Sequence, residues 1–348
     1  MNVYNHPIGL GHPCFVIAEI GHNHQGKLET ALMMVQQAAR AGANAVKFQK
    51  RDNKTLFTKG FYEAKYESKN AFGDTYGAHR EALELSTSSL WECKKMANSV
   101  GLAFMVTPFD RPSIEQCELL EVDAYKIASG DVTNHELLEE IAQLKRPVFM
   151  STGGSCLIEI QQAAAYFHEM SDRTCLMHAV SIYPTPMEEL NLKKIQDLKS
   201  LFPSFAIGYS CHYRGIDAAK AARMMGAETI EKHFTFDKSA KGSDHLLSAT
   251  EKEVRELIES MRHFDVMQGK GYPSTQYKNE KERSAIEKLG KGIYASKELR
   301  PGTIIEREML AIKSPANACP PYLMQDMIGK KLKRAMKEEE GMDLAFLD

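Results

Sequence analysis

A glutamate and two lysines set into apolar runs, and two histidines later in the chain, are the side chains of this 348-residue sequence best equipped for chemistry. Glu19 lies in "FVIAEIG", Lys47 and Gln49 in "AVKFQK", Thr107 in "LAFMVTPF", and Lys126 and Ser129 in "AYKIASG", with Asp131 following. Ser151 and Thr152 lie in "PVFMSTG", Ser181 ends "TCLMHAVS", Ser210 and His212 end "AIGYSCH", and Glu231 and His233 lie in "TIEKHFTF". The two-residue period of a strand places Lys47 with Gln49, Ser210 with His212, and Glu231 with His233 on common faces. Lys47, Lys126, Thr107, Ser129, Ser151 and Ser210 are the ammonium and hydroxyl groups that hold a phosphate or carboxylate through charge-assisted hydrogen bonds, so an anionic substrate is expected. His212 and His233 fall on consecutive strands, with Glu231 and Asp244 close in sequence. Such a pair suits a divalent ion of the manganese or iron type that keeps open positions, better than structural zinc.

These residues need a scaffold that brings strand ends to one place. Eight short apolar runs alternate with helical periodicity, at 27–41, 87–100, 112–121, 134–145, 156–170, 190–201, 215–225 and 250–268. Eight βα units in this length predict a closed parallel (β/α)8 barrel, whose active site lies at the C-terminal ends of the strands; a doubly wound open sheet shares the alternation. The connection over 51–86 is far longer than the usual few residues, and reads either as a substrate lid or as a solvated insertion. In "GHNHQG", His22 and His24 follow the first strand and precede a helix beginning near Lys27, which favours a capping or packing role and leaves Glu19 as the reactive group.

The chain carries 44 basic and 46 acidic residues, a net charge of -2, which shows no electrostatic footprint for nucleic acid or an anionic membrane. Seven cysteines without a C-x-x-C point to a reducing cytoplasm, and no run of ~18 apolar residues or secretory leader is present. "STGGS" is no P-loop and no G-x-G-x-x-G opens a helix, so nucleotide binding is unsupported. A catalytic barrel over 1–270, a polar linker over 271–285 and a small β-rich domain over 286–348 are expected, the last from short strand-like runs around Pro301-Gly302.

In order along the chain, "FVIAEIGHNHQG", "VKFQK", "YKIASGD", "STGG", "IYPTP", "GYSCH", "EKHFT" and "KGSDH" resemble the sialic acid synthase family over nearly the whole length. The resemblance implies a phosphoenolpyruvate-dependent TIM barrel followed by an antifreeze-like (SAF) domain, and a homodimer in which each small domain caps the other subunit's barrel. By matching motif, Glu19 is the carboxylate near the reacting centre, and Lys47, Thr107, Lys126, Ser129, Ser151 and Ser210 hold phosphoenolpyruvate. His212 and His233 are the implied ligands of manganese or magnesium, while Tyr183, Asp244 and Asp131 are implied substrate contacts. The implied reaction joins phosphoenolpyruvate to N-acetylmannosamine or its 6-phosphate, with legionaminate, pseudaminate or KDN synthesis as related alternatives. Two departures bear on the acceptor: Ser314 stands where free-sugar synthases carry an arginine, and "SGD" at Asp131 replaces "SGE". The stretches "SKNAFGDTYGAHR", "SGDVTN", "KGSDH" and "PPYLMQDMIGKKL" resemble the animal-type branch with its phosphorylated acceptor, for which the lid offers Lys69, His79 and Arg80. Two rivals are a Schiff-base aldolase using Lys47, Lys126 or Lys232, and a non-catalytic sugar- or ice-binding protein.

Overall fold

The computed structural model describes residues 1–269 and 279–348, in two compact units divided after Gly269. The first unit is a closed barrel of eight parallel strands: β1 (Phe15–Gly21), β2 (Ala45–Lys50), β3 (Ala103–Pro108), β4 (Ala124–Ile127), β5 (Val148–Ser151), β6 (Thr174–Ala179), β7 (Ala206–Cys211) and β8 (Thr229–His233), with β8 pairing back onto β1. The doubly wound alternative is thereby excluded.

Each strand is buried on both faces, and the two faces have different partners. Val16, Ala18, Ile20, Val46, Phe48, Phe104, Val106, Ile127, Met150, Leu176, Ile207 and Ile230 point outward and pack with the surrounding helices into the main core. The alternate residues point inward. Toward the strand N-termini, Phe15, Ile17, Ala45, Met105, Phe149, Cys175 and Met177 form a separate apolar plug. Val3 and Ile8, at the short hairpin pairing Asn2–Val3 with His6–Pro7, join this plug from below.

Helix boundaries follow local chemistry. Thr250 and Glu253 form a capping box at the start of Glu251–Gln268, and Asp110 caps Arg111–Leu119 ahead of an early proline. The expected helix over 190–201 begins only at Lys194, after a 3-10 turn at Met187–Glu189. Residues 51–86 are an ordered excursion, with three short helices at Asn53–Leu56, Lys59–Glu63 and Tyr76–Glu81 capped by Asp52, Thr58 and Thr75. Phe57, Phe61, Tyr66 and Tyr76 pack against one another and supply its internal core.

The second unit pairs β9 (Gly292–Ala295) with β10 (Leu310–Lys313) and adds isolated bridges at Leu299 with Met336, Ile304 with Lys331 and Leu332 with Leu347. Ile293, Ile305, Leu310, Met327, Leu332 and Met336 fill its core. The expected linker lies largely outside the described residues; its last part is a 3-10 turn at Glu280–Glu282 leading into helix Arg283–Leu289. Among the described residues no helix is long and apolar enough to cross a membrane.

Candidate active site

At the C-terminal mouth of the barrel the inward positions turn polar, and they line a cavity of about 390 Å³. Strand register sets this layer: Lys47 is paired with Glu19, Glu19 with His233, and Glu231 with Ser210. A bulge between Glu19 and Gly21 ends β1, and Gly21 takes a positive φ of 54°. A Cβ at Gly21 would stand 3.2 Å from the Glu19 carboxylate and 3.4 Å from Gln49, so a bare backbone leaves both side chains their room. Gly153 does the same across the cavity, where a Cβ would come within 2.6 Å of Ser181 Oγ and 2.9 Å of Ser129 Oγ.

Lys47 is the hub of the floor. Its Nζ lies 2.8 Å from Glu19 Oε2 and 3.5 Å from Glu231 Oε1, and it donates to Thr107 Oγ1 at 3.0 Å. Gln49 donates to the other Glu19 oxygen at 2.6 Å, and Ser210 donates to Glu231 Oε1 at 3.3 Å. Burial alone would lower the Lys47 ammonium, but the Glu19 and Glu231 carboxylates outweigh it and its pKa is raised. Glu231 likewise resists its burial, because Lys47 and Lys126 hold it down to about 2. Lys126 is less well matched: burial, with Lys47 beside it, overcomes the attraction of Glu231 and lowers it to about 8. Its Nζ donates to the Ile127 carbonyl at 3.0 Å. Ser151 Oγ, Glu231 Oε2 and His233 Nδ1 are buried without a hydrogen-bond partner among the described residues. Buried polar atoms in that condition mark places for a ligand.

The two histidines share the rim, with ring centroids 5.6 Å apart. His212 Nδ1 meets the Val180 carbonyl at 2.6 Å; a carbonyl only accepts, so that nitrogen carries the proton and Nε2 keeps its lone pair. Burial, reinforced by His233, lowers His212 to about 3 and keeps it neutral. His233 Nδ1 lies 3.5 Å from Asp244 Oδ2, and the Tyr183 ring stacks 4.0 Å from that of His212. A neutral His212 beside His233, whose buried Nδ1 lacks a hydrogen-bond partner among the described residues, and the nearby Asp244 carboxylate fit a divalent ion. No cluster of three or more His, Cys, Asp or Glu side chains able to hold a metal occurs among the described residues, so the pair fits only an ion that keeps open positions.

Glu19, Lys47, Thr107, Lys126, Ser129, Ser151, Tyr183, Ser210, His212, His233 and Asp244 therefore line one cavity. Asp131 does not. β4 ends at Ile127, and Asp131 sits in the 3-10 turn Ser129–Asp131, where its Oδ1 accepts from Asn134 at 3.2 Å. Lys232 faces away from the cavity toward the helices, where Nζ contacts the Tyr213 carbonyl and lies 3.7 Å from Cys211 Sγ, which removes it as a Schiff-base candidate. Of the lid cations, only Arg80 lines the cavity; His79 is buried and accepts from Phe72 N, and Lys69 is exposed. His22 and Arg51 line it too. His24 is framework, buried against Phe48 with Nδ1 accepting from Gly26 N.

A TIM barrel whose mouth is lined with lysines, hydroxyls, carboxylates and histidines is the architecture of an enzyme acting on small anionic substrates. Residues 34–272 match the NeuB family and residues 290–341 match the SAF domain. The chain is 36% identical to human N-acetylneuraminate-9-phosphate synthase, across 98% of this chain and 94% of the human one. It is equally 36% identical to the N,N'-diacetyllegionaminic acid synthase of Legionella pneumophila, over 94% of this chain and 92% of that one. The crystal structure of the N-acetylneuraminic acid (sialic acid) synthetase from Leptospira borgpetersenii, in complex with citrate, superposes with a TM-score of 0.73 at 34% identity, covering 82% of this chain and 95% of that one. The chain belongs to the NeuB family of sialic and related nonulosonic acid synthases.

Proposed function

We propose that this enzyme condenses phosphoenolpyruvate with N-acetylmannosamine or its 6-phosphate, giving N-acetylneuraminate or its 9-phosphate and releasing phosphate. The observation that carries this reading is the meeting, in one cavity, of an anion-holding floor at Lys47 and Lys126, the Glu19 carboxylate and the His212–His233 pair. Lys126, Ser129, Ser151 and Ser210 supply charge and hydroxyls for the phosphate and carboxylate of phosphoenolpyruvate, with Lys47 and Thr107 beneath them. His212 and His233 would hold manganese or magnesium, which when bound supplies Lewis-acid polarisation of the acceptor's aldehyde. Tyr183 and Asp244 orient the acceptor beside that pair. The enol π electrons of phosphoenolpyruvate form the new bond from C3 to the aldehyde carbon, and the aldehyde oxygen takes up a proton. Glu19, anchored through both oxygens by Lys47 and Gln49, stabilises the positive charge that develops at C2 and accepts the proton of the water that adds there. Phosphate then leaves with the bridging oxygen, and the added water oxygen becomes the ketone.

A panel assay of phosphate release tests the reading, with phosphoenolpyruvate against free and phosphorylated N-acetylmannosamine and the legionaminate and pseudaminate precursors, each with and without chelator. Release with none of them would refute it. Lys126 near 8 supports a second reading, a Schiff-base aldolase, since a lysine must lose its proton to attack a carbonyl. Borohydride would then trap substrate on the enzyme, and turnover would ignore chelator.

A cytoplasmic, homodimeric enzyme accompanies the first reading. Seven free cysteines, six of them buried, favour a reducing compartment. Ile304, Ile312 and Tyr322 of the second unit are exposed, which favours burial of that unit's surface in an assembly such as a swapped dimer. Truncation near residue 280 should then lower turnover without unfolding the barrel.

A further inference from the structure

The cavity holds a second group of cations, above the floor. Arg51 is buried, stacks on the Phe109 ring at 3.7 Å from its centroid, and donates to Gln49 Oε1 at 2.8 Å and to His22 Nε2 at 2.9 Å. Arg80 approaches the same imidazole from the opposite side, 3.3 Å from Nδ1, while its Nε and Nη2 are held by the Tyr76 hydroxyl at 3.0 and 2.8 Å.

This arrangement lacks an acceptor. Burial, with Arg51 and Arg80 beside it, drives His22 well below its usual pKa, and a neutral imidazole accepts through one nitrogen only. One of the two guanidinium groups therefore faces an N–H. Charge is equally unbalanced: Glu84 is the sole carboxylate within 4.0 Å of either arginine among the described residues. It lies 3.7 Å from Arg51, accepts from Lys50 Nζ at 3.5 Å, and makes no ion pair with Arg80. The floor differs, because Lys47 touches two carboxylates.

We propose that Arg51 and Arg80 form a second anion clamp at the rim of the cavity, which takes the phosphate of a phosphorylated acceptor sugar and selects it over the free sugar. The proposal rests on the synthase reading above and adds its specificity residues. Phosphate supplies several acceptor oxygens and a double negative charge to two forked donors that the protein leaves half-satisfied. Gln49, bonded to both Glu19 and Arg51, ties the clamp to the floor. An occupied clamp therefore also fixes the amide that positions the Glu19 carboxylate.

Calorimetric titration of N-acetylmannosamine and its 6-phosphate into the full chain, R80Q and R80K tests this, with phosphoenolpyruvate titrated separately. The parent should bind the phosphorylated sugar at least about tenfold more tightly. R80Q should bring the ratio of the two affinities close to one, and R80K, which keeps a point charge without the fork, should retain part of it. Equal affinities in the parent, or an undiminished ratio in R80Q, would overturn the clamp. Phosphoenolpyruvate weakening in R80Q as much as the sugar phosphate would overturn it too, by assigning the arginine to the first substrate. A preserved preference for the phosphorylated sugar with no phosphate release from any acceptor would sink the synthase reading and leave the clamp standing.

Discussion

The two ends of the barrel interior are made from the same strands, two residues apart. Ile17 gives way to Glu19, Ala45 to Lys47, Met105 to Thr107, Ala124 to Lys126 and Phe149 to Ser151, a step of about 6.6 Å along each strand. Below that step the inward side chains form a dry plug, in which Phe149 stacks on Phe15 at 5.9 Å. Above it, Lys47, Lys126, Glu19 and Glu231 are almost as buried but charged. The lower layer is stabilised by contact area. The upper layer is stabilised only while its charges match, so chemistry and stability are coupled there and separate below.

That difference is broken most completely at the rim, where the histidines lie above the charge network. On the proposed function, in which this pair holds the metal, His212→Ala and His233→Ala should each abolish turnover and manganese binding while leaving the unfolding midpoint near that of the parent, since neither ring is a partner of the Lys47 hub. Metal analysis by mass spectrometry and chemical denaturation check the two halves; full activity in excess chelator would remove the metal from the account. One layer down, Lys47→Met should damage both properties together. It leaves Glu19 and Glu231 buried with their shared cation gone, a situation that costs roughly 3 to 5 kcal/mol, and kcat/KM should fall on the order of 100-fold or more. A variant as stable as the parent would show that water already compensates the floor.

The same step explains which parts of the molecule were readable beforehand. Parity along β2, β7 and β8 puts Lys47 with Gln49, Ser210 with His212 and Glu231 with His233 on common faces, and all six line the cavity, because a paired strand enforces the alternation. Asp131 lies just outside that lining because β4 stops at Ile127 and a 3-10 turn follows, whose Ser129 and Gly130 line the cavity while Asp131 does not. His22, expected to cap or pack the turn after β1, lines the cavity instead, and Arg51 is not singled out by the sequence, because both lie beyond strand ends, where periodicity carries no information. Their positions depend on residues 51–86, whose helices are too short to show an apolar stripe. The aromatic run from Phe57 to Tyr76 was the available signal that this segment has a core of its own.

Within the plug, Phe149→Ala should cost about 3 to 5 kcal/mol through lost burial and an unfilled cavity. Ser151, two residues on, keeps its place in the register opposite Met177. The folded fraction should therefore retain its kcat within a factor of about two, measured at a temperature where unfolding is negligible. A large fall in kcat at unchanged fold would mean that the plug sets the geometry of the floor, and that the two layers are not separable.

The smallest effect is expected from Lys126, where function and stability should move in opposite directions with pH. Its proton is held with a pKa of about 8 in the folded chain, against 10.5 for an ordinary lysine, because burial and Lys47 disfavour the charge. Between those values the unfolded chain binds more protons than the folded one, so stability from this group rises with pH, by up to about 1.4 kcal/mol per unit across the window. Below pH 8 both states are protonated and the full penalty of the buried charge is present. On the proposed function, phosphoenolpyruvate binding should run the other way, since the Lys126 ammonium assigned to it is lost above pH 8, and KM should climb toward tenfold per unit. Lys126→Met should flatten both slopes. Measuring the unfolding free energy and the KM for phosphoenolpyruvate from pH 7 to 10 in parent and variant decides the matter. A KM that stays flat or falls while the unfolding free energy rises would show that Lys126 is not the group titrating, and that the upper layer is matched as fully at β4 as it is at β2.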